Sequence, residues 1–195
     1  MRVVTLTAFV LLIMFIGSVA LAQPIKVTTA DGGSVITELG YDIKINKNST
    51  LRRAWVVLND PGCPVQLINA GINTRYGDRE YNYIPTGSAK VSAAISAMEI
   101  RYILYDIFGD HLKTLSGTEV SNAAVNAEIS LKEMGRWRAW ENEISELLTV
   151  VVFVAQVRTV DGKIWRYQDK PISEELNKIR LKVTTGVLEP TKENK

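Results

Sequence analysis

Cysteine and histidine are almost missing from this chain: Cys63 and His111 are the only ones in 195 residues. One cysteine excludes an intramolecular disulfide, and one histidine excludes paired-histidine metal motifs. Surplus charge is missing too, with 23 basic side chains against 21 acidic ones. That balance rules out a polyelectrolyte tail and gives nucleic acid no broad electrostatic footprint. G-x-S-x-G, H-E-x-x-H, Walker and G-x-G-x-x-G patterns are absent, as are internal repeats and low-complexity tracts. At 46% hydrophobic residues the composition is that of a globular protein rather than a disordered one.

The one long apolar run lies at the start. Arg2 supplies an early positive charge, Val3–Leu21 an apolar stretch, and Ala20 and Ala22 the small residues of a cleavage site before Gln23. Residues 1–22 are therefore expected to be a signal peptide, and the protein periplasmic or extracellular. Val3–Leu21 also approaches the span of a bilayer, so an uncleaved N-terminal anchor is the alternative. Removing 22 residues from 195 leaves 173, enough for one domain. Losing Arg2 brings the formal balance to +1. In an oxidising compartment Cys63 has no internal partner, and it lies too far beyond the cleavage site for lipid attachment. Its setting, Asp60-Pro61-Gly62-Cys63-Pro64, is turn chemistry, and a small buried hydrophobe at a strand entrance is the expectation.

Short strands dominate the remainder. Ile25–Thr29 and Tyr41–Ile45 are candidate strands in an N-terminal extension, 23–52, interrupted by the turn Asp31-Gly32-Gly33. Arg53–Asn59 carries apolar residues on both faces, the pattern of a strand covered on both sides. Val65–Ile68 follows, then a polar stretch, Asn69–Arg79, expected to be loop. Glu80–Ala94 carries Tyr81 and Tyr83 on one face and an expected break at Pro85-Thr86-Gly87. Ala97–Phe108 places Met98, Ile100, Tyr102 and Leu104 on one face and Glu99 and Arg101 on the other. Ile103, Tyr105 and Ile107 then reverse the apolar face, which requires a bulge or two-sided burial. Gly109-Asp110 turns the chain back through Leu112 and Leu115.

Leu147–Thr159 is a valine-rich run that favours strand. Val160-Asp161-Gly162-Lys163 predicts a type I′ hairpin pairing Thr159 with Ile164, Arg158 with Trp165 and Val157 with Arg166. Phe153, Ala155, Val157 and Ile164 would then share the core face, with the Arg158 guanidinium over the Trp165 indole on the other. Trp137, Trp140, Ile144, Leu147 and Leu148 fall at helical spacing, but Gly135 breaks the pattern. A helical turn or two within Leu131–Glu146 is the reading. Ser173–Lys182 predicts a terminal helix capped by Ser173 with a Leu176, Ile179, Val183 stripe. Residues 186–195 are expected to fray as a flexible tail.

Frequent turn signals between short strands predict a mainly β, antiparallel sandwich over 53–185 with one or two short helices. The stretch Arg53–Tyr167 resembles the immunoglobulin-like sandwich domains of small secreted bacterial proteins of unknown function. The residues that carry the resemblance are Trp55-Val56-Val57-Leu58-Asn59 followed by Cys63-Pro64, Tyr105-Asp106-Ile107-Phe108-Gly109, and Val157 through Trp165. The resemblance implies an architecture and transfers no functional residue. The Cys…Trp…Cys pattern of antibody-type domains is absent.

Chemistry is sparse. His111 reads as a solvent-facing turn residue, Asn48-Ser49-Thr50 as an N-glycosylation sequon, and a Cys63–His111 nucleophilic pair lacks anything to join it. No cofactor, metal site or catalytic residue is expected. The candidate binding residues are aromatic: Trp137 and Trp140 beside Arg136 and Arg138, Tyr81 and Tyr83 near Tyr76, and the Arg158–Trp165 pair. Flat rings beside hydrogen-bond donors stack on sugars or anchor proteins, and equally plug the ends of a sandwich. The resulting expectation is a non-enzymatic secreted or periplasmic module with an interaction or structural role in the cell envelope, its partner an envelope or extracellular protein or glycan. A carbohydrate-binding module is the alternative, and a Cys/His enzyme the more distant one. Nucleic acid is not an expected partner.

Overall fold

The computed structural model describes residues 24–31, 53–77 and 79–192. The signal segment, the candidate strand at 41–45 and the sequon at Asn48 lie outside the described residues. Among the described residues, ten strands and two helices follow in chain order: β1 Lys26–Asp31, β2 Ala54–Asn59, β3 Val65–Gly77, β4 Glu80–Val91, β5 Ile95–Asp106, β6 His111–Glu119, β7 Glu128–Ser130, β8 Trp137–Ala139, α1 Glu141–Glu146, β9 Leu147–Thr159, β10 Ile164–Arg166 and α2 Asp169–Lys178. Among the described residues, no helix is long and apolar enough to cross a membrane.

The architecture is mainly β, with two sheets in two layers. The first runs β1-β2-β9-β5-β6, with β10 on the far end of β9; the second runs β3-β4-β7, with β8 also on β4. Between them pack Tyr102, Leu104, Val150, Val152 and Val154 from one side and Val65, Leu67, Ile72, Tyr83, Ala89 and Val91 from the other. A second core covers the opposite face of the first sheet. There Val56, Leu58, Ile103, Tyr105, Val151 and Phe153 meet Ile172 and Leu176 of α2 and, beyond it, Leu181, Val187 and Leu188. Burial on both faces is why β2, β9 and the second half of β5 read as nearly continuous apolar runs. One pairing departs from the antiparallel expectation. β2 runs parallel to β9, with Ala54 opposite Thr149 and Leu58 opposite Phe153. β1, expected in an extension, is the edge strand beside β2.

Several expectations are corrected. The polar stretch after Ile68 is strand as far as Gly77, because β4 pairs with it from Gly71 onward. β4 in turn continues through Pro85–Gly87. Asn69 and Ala70 bulge opposite Gly87, whose positive φ of 97° and closeness to the Asn69 carbonyl leave no room for a Cβ. Pro85 is tolerated because it sits where neither β8 nor β7 pairs with β4.

The β9–β10 hairpin is shifted by one residue. Arg158 pairs with Ile164 and Val157 with Trp165, so the expected Arg158–Trp165 pair does not form. Only Gly162 in the loop takes a positive φ, 87°, and Thr159 bonds to the Lys163 carbonyl. This is a three-residue loop closed by a left-handed glycine, not a type I′ turn. A register break against β5 between Glu99 and Ile100 also leaves Ala155 unpaired there. Phe153 and Ala155 therefore face α2 while Val157 faces the second sheet, and Ile164 is exposed.

The terminal helix begins four residues before Ser173, and its buried stripe is Ile172 and Leu176, with Ile179 exposed. The segment expected to fray is docked. Val187 and Leu188 are buried, and Arg101 and Thr114 donate to their carbonyls at 2.6 Å.

Candidate functional site

The segment Trp137-Arg138-Ala139-Trp140 joins β8 to α1. Strand alternation turns Trp137 and Ala139 inward, with Trp137 against Tyr102 at 5.6 Å between ring centroids, and sends Arg138 outward. Trp140, at the N-cap of α1, is still in extended backbone, so the same alternation sends it outward beside Arg138. Its indole is 57% exposed, and the Arg138 guanidinium lies 4.7 Å from the ring centroid. Arg138 also bonds Glu80 at 3.3 Å, across the β4–β8 pairing.

The six-residue helix α1 is held by charge at both ends. Glu143 accepts from the Trp140 backbone N–H at 3.2 Å, the reach-back of a capping box. No basic residue lies in its last turn; buried Arg53 serves instead, donating to the carbonyls of Ile144 and Leu147. Burial lowers the Arg53 pKa to about 10, with Tyr83 opposing that effect. Glu143 also pairs with Lys113 of β6 at 2.7 Å, both largely buried. Behind this pair lies Tyr83, fully buried, with the Lys113 ammonium 5.8 Å from its ring. The Tyr83 and Tyr102 hydroxyls have no hydrogen-bond partner among the described residues.

Two grooves flank the Trp140 indole and share Arg138. One, of about 530 Å³, is lined by Tyr76, Arg79, Glu80, Tyr81 and Glu141; the other, of about 550 Å³, by Leu112, Lys113, Leu115, Glu143, Thr191 and Lys192. Of the aromatic candidates, Trp140 and Tyr81 line this surface. Tyr81 packs edge-on to Tyr76 at 4.9 Å between centroids. Trp137 and Tyr83 belong to the core between the sheets. Arg158 lines a separate groove of about 220 Å³ with Glu99, Gln156 and Ile164. Trp165 closes the far end of the sandwich beside Cys63, leaving about 10 Å³. Sequence reasoning missed Lys113, Glu143 and Lys192. The one readable signal was Glu143, three residues beyond Trp140 at the position of a capping glutamate.

Cys63 and His111 stay apart. Cys63 lies beside Val154, while His111 pairs with Tyr105, which lies opposite Thr149. Five residues of β9, roughly 16 Å along the strand, separate the two places. Burial pushes the Cys63 thiol up to about 12, and the Val65 N–H that it accepts opposes this only weakly. His111 is a half-buried strand residue rather than the expected solvent-facing turn. Its Nε2 lies 2.9 Å from Thr114 Oγ1. Since that hydroxyl gives its proton to the Val187 carbonyl, it accepts from His111. Among the described residues, no three His, Cys, Asp or Glu side chains are grouped to hold a metal ion.

No protein-family model matches the chain, and no curated protein matches it. A hypothetical protein from Peptoclostridium difficile 630, known from a 1.85 Å X-ray structure, is similar at 12% identity with a TM-score of 0.43. The likeness covers 66% of this chain and 97% of that one. At that score it carries no argument about fold or function.

Proposed function

We propose that the chain is an exported, non-enzymatic β-sandwich module that recognises a component of the cell envelope at the Trp140 ridge. The observation that carries this reading is the 57% exposed indole standing between two grooves, on a helix fixed by Arg53 and Glu143. Preorganised aromatic rings at the rim of a rigid scaffold bind with little ordering cost. The separation of Cys63 from His111 and the raised thiol pKa favour binding over Cys/His chemistry. Export rests on the charged, apolar and small-residue pattern of residues 1–22. On this reading the immunoglobulin-like resemblance is kept at the level of two facing sheets, with a parallel β2–β9 pair and a helical layer added.

Replacing Trp140 by a photoreactive amino acid in the full chain, in its host, tests the site. Envelope adducts at position 140 and not at Arg158, in the separate groove, are expected. Equal labelling at both, or none at either, overturns the assignment. N-terminal sequencing should find the exported chain beginning at Gln23; a chain retained in the cytoplasm overturns the export reading.

A further inference from the structure

We propose that the occupant of the Trp140 grooves is an acidic polysaccharide built of uronic acid sugars. The inference rests on reading these grooves as the recognition surface and adds the chemistry of what they hold. The groove beside β6 carries Lys113 and Arg138, already engaged by Glu143 and Glu80, together with Lys192. Lys192 makes no ion pair with any described residue and is exposed. Its positive surplus fits a carboxylate on the ligand.

The groove on the other side of Trp140 is balanced, with Arg79 and Arg138 facing Glu80 and Glu141. Its carboxylates accept hydrogen bonds from hydroxyl groups and repel further anions. Between the two stands a flat ring, 57% exposed, with Arg138 at 4.7 Å from its centroid; an exposed indole stacks on the C–H face of a sugar. A ligand that satisfies all three parts carries a carboxylate, hydroxyls and an apolar ring face along one chain. Neutral sugars leave the cationic groove unanswered. A simple polyanion meets Glu80 and Glu141 and has no ring for Trp140.

Calorimetric titration of the purified full chain with polygalacturonate, dextran and polyglutamate, at low and moderate salt, tests this. Polygalacturonate should bind, more tightly at low salt. Trp140→Ala should weaken it about tenfold or more, as expected for a central aromatic anchor, while Trp140→Phe retains most of the affinity. Lys192→Glu, at an exposed position that leaves the core untouched, should weaken binding and flatten its salt dependence. Failure of polygalacturonate to bind overturns the ligand class. Dextran or polyglutamate binding equally well also overturns it; if that binding still needs Trp140, the groove reading stands. Polygalacturonate binding unchanged in Trp140→Ala overturns both.

Discussion

The two ends of β9 carry the same kinds of residue to opposite effect. At its C-terminal end sit the only cysteine and Trp165, closed around a void of about 10 Å³; toward its N-terminal end sit the only histidine, half-buried against Tyr105 and Thr114, and Trp140, between grooves of about 530 and 550 Å³. Composition does not separate these ends, and backbone geometry does. The three-residue hairpin loop shifts β10 by one position and brings Trp165 against Val157, on the face toward the second sheet. At the strand-to-helix junction Trp140 keeps extended backbone, so alternation carries it to the outward face with Arg138 and leaves the indole in solvent. A tryptophan's role is thus decided by the face to which its strand register assigns it.

Substitution should show the difference most strongly at the closed end. Trp165→Ala removes a large half-buried ring from a site with almost no free volume, and about 3 kcal/mol of stability should go with it. Denaturant midpoints at constant m-value read this directly; a loss below about 1 kcal/mol would mean that this end is as yielding as the other. Cys63 beside it should titrate late. Its ordinary pKa of 9.0 is raised to about 12 in the folded chain, so the native state holds the proton more firmly than the unfolded state does. Its contribution to stability is present below about pH 9 and lost as pH rises from there toward 12. Cys63→Ala should move the onset of alkaline destabilisation up toward pH 10, where Tyr105, itself raised to about 12, begins to contribute. Native-state alkylation of the thiol should stay slow until the chain unfolds.

How far these ends were legible in the sequence follows the range of the forces involved. β9 was plain from its valines, β5 from its alternation and reversal, and the turn before Lys163 from Asp161-Gly162, because each signal is local. The hairpin register was not. It depends on which loop residues take positive φ, and here only Gly162 does. β3 was hidden because its polar second half is stabilised by β4 rather than by its own propensity. Helical spacing grouped Trp137 with Trp140, although a strand-to-helix boundary divides them. The open site was partly visible, through Trp140 and Tyr81. The groups that hold it, Arg53 on the Ile144 and Leu147 carbonyls and Lys113 on Glu143, act across long sequence separations that no local pattern records. Docking of Val187 and Leu188 against Thr114 and Arg101 was concealed for the same reason.

At the open end the expected effects are smaller. Burial lowers the pKa of His111 below its ordinary 6.5, so the native state favours the neutral ring. Stability from this residue is present above about pH 6.5 and lost as pH falls below it, because the unfolded chain then binds the proton more readily. His111→Gln, which keeps a donor for Thr114 Oγ1, should flatten the slope of stability below about pH 6.5. An unchanged slope would place the acid sensitivity elsewhere.

Trp140→Ala should be nearly silent in stability, within about 0.5 kcal/mol of the parent, because the exposed indole leaves no cavity and the Glu143 bond is to backbone. The same change should weaken ligand binding, so the two tryptophans invert: Trp165 matters to folding and Trp140 to recognition. A Trp140→Ala chain that lost stability on the scale of Trp165→Ala would show the ridge to be a structural plug. In that case the Arg138 stack and the Lys113–Glu143 pair hold α1 down for the sake of the sandwich, and the grooves are incidental to it. Stability unchanged with binding lost would assign that scaffolding to the display of one ring.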